Sequence, residues 1–278
     1  MTDDNFLFYP ASVEVNAGMI GISRSSWVSL NPHDFTDEES FKQKALEIMK
    51  ENRFDILPID EGNNFIVKEY FQKLDHWQDI ARQKIYHKDT VTAQTHILDV
   101  LEKMVINKRN FVFLIHQNKV SGLISKVHFN SRSVKVYIYS LLSEFETRLA
   151  RLIRKTIDQK VILEFLENCT NLEDENCRRL KEAKIRYLAD REKDYENNIT
   201  EYMYLSDFLK IAKTYELYKY LNYDSKKQFE KLNSLNDLRN RIMHPERALI
   251  SPEHPLEKLW ERLDKLQEVL FQIRQLKF

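Results

Sequence analysis

Two arginines, an asparagine and a histidine crowd the stretch "LNDLRNRIMHPERAL", positions 235–249. They are Arg239, Asn240, Arg241 and His244, and Pro245 follows the histidine. A histidine can give or take a proton near neutral pH. A guanidinium stays charged and presents a planar fork of N–H donors that matches a phosphate. The set reads in two ways: as the solvated, frayed end of a helix, or as a catalytic constellation for RNA. Spacing alone does not decide. Arginine and histidine at the same separation occur again at Arg82–His87 ("RQKIYH"), without the asparagine and without the proline.

What sets 239–244 apart is the element that carries it. Phe229, Leu232, Leu235, Leu238 and Ile242 recur at helical spacing and define a core face, with Arg239 beside it. Pro245 disfavours helical backbone at the residue before it, so the helix is expected to stop at His244. On a regular helix, positions i and i+5 point more than about a hundred degrees apart. Distortion at the helix end can bring Arg239 and His244 towards one groove.

The bulk properties narrow the classes of function. The 278 residues suffice for one large domain or two ordinary ones. Basic and acidic side chains balance at 43 each, so no overall field steers nucleic acid, and any RNA contact must use a local patch. Glycine occurs only at positions 18, 21, 62 and 122. A phosphate-cradling loop needs clustered glycines, so most kinase, ATPase and Rossmann chemistry is excluded. The histidines at 33, 76, 96, 116 and 254 are scattered and support no metal set, and no catalytic cofactor is expected. Cys169 and Cys177 are expected as free thiols of a reduced protein. The opening "MTDDNFLFYP" carries acid where a signal peptide is basic, and no apolar run reaches membrane-spanning length. The expectation is a soluble cytoplasmic protein without membrane contact.

Residues 1–130 and 131–278 follow different grammars and are expected as two domains. In the first, "ALEIMKENRFDILPIDEGNNFIV" (45–67) matches "VLEKMVINKRNFVFLIHQNKVSGLI" (100–124). Leu46 aligns with Leu101, Met49 with Met104, Asn52 with Asn107 and Arg53 with Lys108. Each copy reads helix, strand, tight polar turn, strand. Neither copy buries its apolar face alone, so the two are expected to stack.

On the Met-containing helix, "ILPID" and "SGLIS", residues 10–130 resemble a tandem pair of CBS domains. The resemblance implies α/β repeats that bind an adenine nucleotide between them and regulate an attached domain. The family's signature, Ser or Thr followed three residues later by Asp, falls here on Ser125 and His128, the expected ligand-binding positions. The first copy has Val67 and Tyr70 there. Histidine in place of the carboxylate removes the usual ribose-hydroxyl acceptor. The other reading of this half is a structural or dimerising module.

From 131 onward glycine is absent and long amphipathic helices are expected at 134–157, about 172–193, 203–221, 225–244 and from 251 to the end. The first carries Tyr137, Leu141, Leu142, Phe145, Leu149 and Leu152 on one face and Arg148, Arg151 and Lys155 on another. That basic stripe is either a solvated face or an RNA contact. The last has Leu256, Leu259, Trp260, Leu263, Leu266, Leu270 and Ile273 in its stripe. The sum is an up-and-down all-α bundle of four or five helices, and the whole chain an α+β protein.

Arg-Asn-x-x-x-His on the penultimate helix of such a bundle resembles the motif of HEPN domains, many of which are metal-independent ribonucleases. The resemblance covers residues 131–278. It implies that Arg239, Asn240 and His244 are catalytic and that two protomers pair, motif to motif, in a homodimer or higher even oligomer. A ribose 2′-OH would attack its own phosphodiester, leaving a 2′,3′-cyclic phosphate and a 5′-OH. His244 would move the proton, Arg239 would hold the extra negative charge, and Asn240 would orient the histidine or donate to the phosphate. Arg241, with Arg148, Arg151 and Lys155, would contact RNA. Such architectures often belong to toxin or antiviral defence systems, which adds an antitoxin protein as a partner. The reading from another class is a nucleotide-sensing or dimerising interaction protein without catalysis.

Overall fold

A computed structural model of the chain describes residues 14–60, 63–68, 80–168, 175–193 and 198–277. They group into two compact units, one of residues 14–137 with 249–260, the other of 138–248 with 261–277.

The first unit contains the repeat. Copy one has helix α1 (Glu38–Asn52), strand β2 (Ile56–Ile59) and strand β3 (Asn64–Lys68). Copy two has strand β5 (Thr90–Thr92), helix α2 (Ile97–Ile106), strand β6 (Phe111–His116) and strand β7 (Lys119–Ser125). In each copy the strand ahead of the helix runs parallel to the first hairpin strand: β5 beside β6, and Leu30 bridging Ile59. The far edge of each hairpin is completed from elsewhere. Strand β1 (Ile22–Ser23), which precedes copy one, pairs antiparallel with β7 of copy two. Strand β4 (Ile80–Lys84), which precedes copy two, pairs antiparallel with β3 of copy one. The copies therefore exchange leading strands. Gly122 permits this on one side, since a Cβ there would lie 2.5 Å from the Ile22 carbonyl oxygen.

The aligned residues behave alike in detail. An asparagine closes each helix, Asn52 as the last residue of α1 and Asn107 as the cap of α2, and a left-handed residue follows, Arg53 (φ 56°) and Lys108 (φ 52°). The next amide then reaches back to the aligned methionine: Phe54 N–H to the Met49 carbonyl at 3.0 Å, and Arg109 N–H to the Met104 carbonyl at 2.8 Å. This is a Schellman close without glycine. Gln117 and Asn118, both at positive φ, make the tight β6–β7 turn. The sheets share one core, in which Ile56, Phe65 and Val67 meet Phe111, Phe113, Val120 and Leu123. Phe65 lies edge-on to Phe111 at 5.2 Å.

The second unit is helical: α3 (Arg132–Thr156) from Ile138 onward, α4 (Gln159–Glu167), α5 (Glu175–Arg191), α6 (Leu205–Thr214), α7 (Ser234–Met243), and α8 (Leu256–Gln275) from Glu261 onward. Leu142, Phe145, Leu149 and Leu152 are buried as the stripe requires, while Leu141 is only partly so. α4, capped by Asp158 accepting from the Lys160 N–H at 2.7 Å, adds a helix to those expected from the sequence. The helix expected over 203–221 is broken. It stops at Thr214, Glu216 is left-handed (φ 58°), and a 3-10 helix follows at Leu217–Leu221. Leu217, Tyr218 and Leu221 are out of phase with the Phe208–Ala212 face, and the break turns them inward. The expected start of α5 near 172 lies outside the described residues. Cys177 is disulfide-bonded, which corrects the free thiol expected there; Cys169 lies outside the described residues.

Candidate active site

Helix α7 continues a run of helical turns from Lys226, through a tighter turn at Glu230–Asn233. Leu235, Leu238 and Ile242 are buried. The helix ends at Met243, and His244 takes extended backbone (φ −107°, ψ 100°), as Pro245 requires of its predecessor. The Arg247 N–H donates to the His244 carbonyl at 3.0 Å, closing a turn with Pro245 at its second position.

Arg239 is held from two sides. Its Nε donates to Glu146 Oε1 of α3 at 2.6 Å, and its guanidinium stands 5.3 Å from the centre of the Tyr204 ring. Glu146 also accepts from the Leu205 N–H at the start of α6. Burial pushes the Glu146 carboxyl above the ordinary carboxylate range, and the attraction of Arg239 does not reverse it. The terminal nitrogens of Arg239 have no acceptor among the described residues. A phosphate could take them in the fork geometry.

His244 is open, with 52% of its side chain exposed and Glu246 Oε1 3.7 Å from Nδ1. Asn240 is exposed. Among the described residues no hydrogen bond or ion pair joins Arg239 to His244 or Asn240. Arg241 is engaged locally. It donates to the Ala248 carbonyl at 2.9 Å, and its Nε lies 3.6 Å from Asp237. Asp237 in turn accepts from Arg262 of α8, which is buried. This chain of contacts ties the helix to the far end of the turn that carries His244.

Of the basic stripe on α3, Arg148 donates to Glu144 at 2.8 Å, and Arg274 donates to the same carboxylate at 2.8 and 2.6 Å. Burial works against ionisation of Glu144, but Arg274 and Arg148 hold it below the usual range. Arg151 is half-buried and Lys155 exposed. In the other unit, the Ser125 N–H donates to His128 Nδ1 at 2.8 Å, so the ring fills the place of the acid in a capping box. Burial lowers the His128 pKa from 6.5, in keeping with a neutral ring accepting at Nδ1. Val67 is buried, and Tyr70 lies outside the described residues.

Glu146, Tyr204, Asp237 and Arg262 are the partners that sequence reasoning missed. Two of them left a signal. Glu146 lies four residues after Leu142 and three before Leu149, and Arg262 lies three after Leu259 and four before Leu266. Each is a charge set into an apolar stripe, where a counter-charge must be supplied.

No family model matches the sequence, and no curated protein matches it either. Solved structures similar to part of the chain include two whose names carry CBS domains. A haemolysin-like protein containing a CBS domain, from Oenococcus oeni PSU, is 17% identical, covers 45% of this chain and 91% of its own, and superposes with a TM-score of 0.32. Hypoxic Response Protein I, solved with two coordinated zinc ions, is 15% identical over 41% of this chain and 96% of its own, TM-score 0.29. A hexameric CBS-CP12 protein from bloom-forming cyanobacteria is 13% identical over 51% of this chain and 83% of its own, TM-score 0.32. Among the described residues no group of three His, Cys, Asp or Glu could hold a metal, and no helix is long and apolar enough to cross a membrane.

Proposed function

We propose that the chain is an endoribonuclease of HEPN type that needs no metal, acts as a homodimer or higher even oligomer in the cytoplasm, and is regulated through a CBS-like sensor. Residues 131–278 would cut, and residues 1–130 would bind an adenine nucleotide or set the dimer geometry. The observation that carries this reading is the end of α7. Arg239 is fixed by Glu146 and Tyr204 with its terminal donors unspent, and the helix stops so that His244 is open to solvent. Arg239 then holds the pentavalent phosphate and His244 moves the 2′-OH proton, with Asn240 exposed beside them. Within one protomer Arg239 and His244 do not touch, which suits a cleft completed by a second copy. Arg151 and Lys155 offer further cationic contacts, and Arg241 and Arg148 add charge from pairs already made. A role in toxin or antiviral defence, with an antitoxin to silence it, follows from the resemblance.

Purified protein incubated with total RNA in EDTA is expected to cut it. His244→Ala and Arg239→Ala should each slow cutting by about 10²–10⁴-fold. Absence of cutting by the unaltered protein, with and without AMP or ATP, would sink the ribonuclease reading. Equal cutting by all three proteins would sink the site. One observation favours the non-catalytic alternative: Glu146 already matches the charge of Arg239, as in a purely structural ion pair.

A further inference from the structure

Tyr204 precedes helix α6, and its backbone N–H donates to Asp207 Oδ2 at 2.9 Å. Tyr204 is 41% exposed. Two guanidiniums stand over it: Arg239 of α7 at 5.3 Å from the ring centre, and Arg179 of α5 at 5.1 Å. Arg179 is anchored much as Arg239 is. One terminal nitrogen donates to Ser206 Oγ at 2.8 Å and to Asp207. Its other terminal nitrogen has no acceptor among the described residues, and its Nε is buried without one. The counter-charge is sunk, with 4% of the Asp207 side chain exposed against 29% of the Arg179 side chain. The pair sums to zero, but the part that meets solvent is the cation.

We propose that Arg179 is a second phosphate-binding residue of the Arg239 site, so that the two arginines grip neighbouring phosphates of one RNA strand. This rests on the RNA reading of Arg239. Each guanidinium is already fixed by a carboxylate and by the shared ring, so little side-chain freedom is lost when a phosphate arrives. Both cations are carried on helices, which makes their separation a fixed property of the bundle. A backbone with evenly spaced charges is the ligand such a pair would select. Tyr204 supplies the ring that holds both guanidiniums by cation–π attraction.

The test is binding of a 2′-O-methyl single-stranded oligonucleotide, which cannot be cut, by fluorescence anisotropy over a series of salt concentrations. Removing one phosphate contact to a single strand lowers the slope of log affinity against log salt by about 0.7. Arg179→Gln is the informative variant, since its amide can still donate to the buried Asp207 and a thermal melt checks the fold. Arg179→Gln and Arg239→Ala should each lower the slope by about 0.7, and Arg179→Lys should keep it. If Arg179→Gln keeps the slope of the unaltered protein while Arg239→Ala loses it, the second cation is overturned and the role of Arg239 stands. An unaltered protein that fails to bind the oligonucleotide at low salt overturns both.

Discussion

His128 ties a backbone hydrogen bond to its own protonation state. It accepts from the Ser125 N–H only when its Nδ1 carries no proton. Its pKa is lowered in the fold, so the unfolded chain takes up the proton first as pH falls. The stabilisation is complete above 6.5 and is lost as pH drops from 6.5 towards the folded value. His128→Asp should flatten that part of a stability–pH curve measured by urea melts, because a carboxylate keeps accepting there. The same variant restores the Ser-x-x-Asp pattern, and calorimetry should show it binding AMP more tightly than the parent does. Arg241 offers a second check at this scale. With its side chain tied to Ala248 and Asp237, Arg241→Ala should cut single-turnover cleavage by roughly ten- to a hundredfold through loss of the His244 turn. Arg239 and His244 could be singled out in the sequence because Pro245 punctuates the helix. Glu146 and Tyr204 could not be assigned to Arg239, because the partners lie 93 and 35 positions away and no local pattern encodes such a meeting.

Among elements, the repeat was the most legible feature, since its hairpins are marked by alternating apolar runs and polar turns. The exchange of β1 was not legible, because its partner β7 lies roughly a hundred residues later and such a pairing leaves no local period. The slip of phase at Glu216 is present in the sequence as Leu217, Tyr218 and Leu221, but no glycine or proline marks the break. The left-handed residues closing α1 and α2 make a direct prediction. Lys108 is exposed and strained at φ 52°, so Lys108→Gly should stabilise the protein by about 0.5–1 kcal/mol, net of the extra freedom glycine gives the unfolded chain. A thermal or urea melt reads this. Gly122→Ala acts in the opposite sense. The added methyl meets the Ile22 carbonyl and should cost about 1–3 kcal/mol, with loss of amide protection at Ile22 and Ser23 in hydrogen exchange.

For the molecule as a whole, the proposed cleft needs two copies, so specific activity should fall as protein is diluted through the dimer dissociation range. Sedimentation at the same concentrations would check the match, and activity independent of dilution below that range would exclude a shared cleft. The exchanged strands also bear on how the first unit comes into being. Ile22 pairs with Leu123, roughly a hundred residues later in the chain. At about 5–20 residues per second of synthesis, the leading segment waits on the order of 5–20 s for its place to exist. β4, by contrast, finds β3 almost at once. Copy one can start early, but the module sets as a single piece only after residue 125 has left the ribosome. A stalled or clipped chain shorter than that would hold 22–23 without a sheet to join.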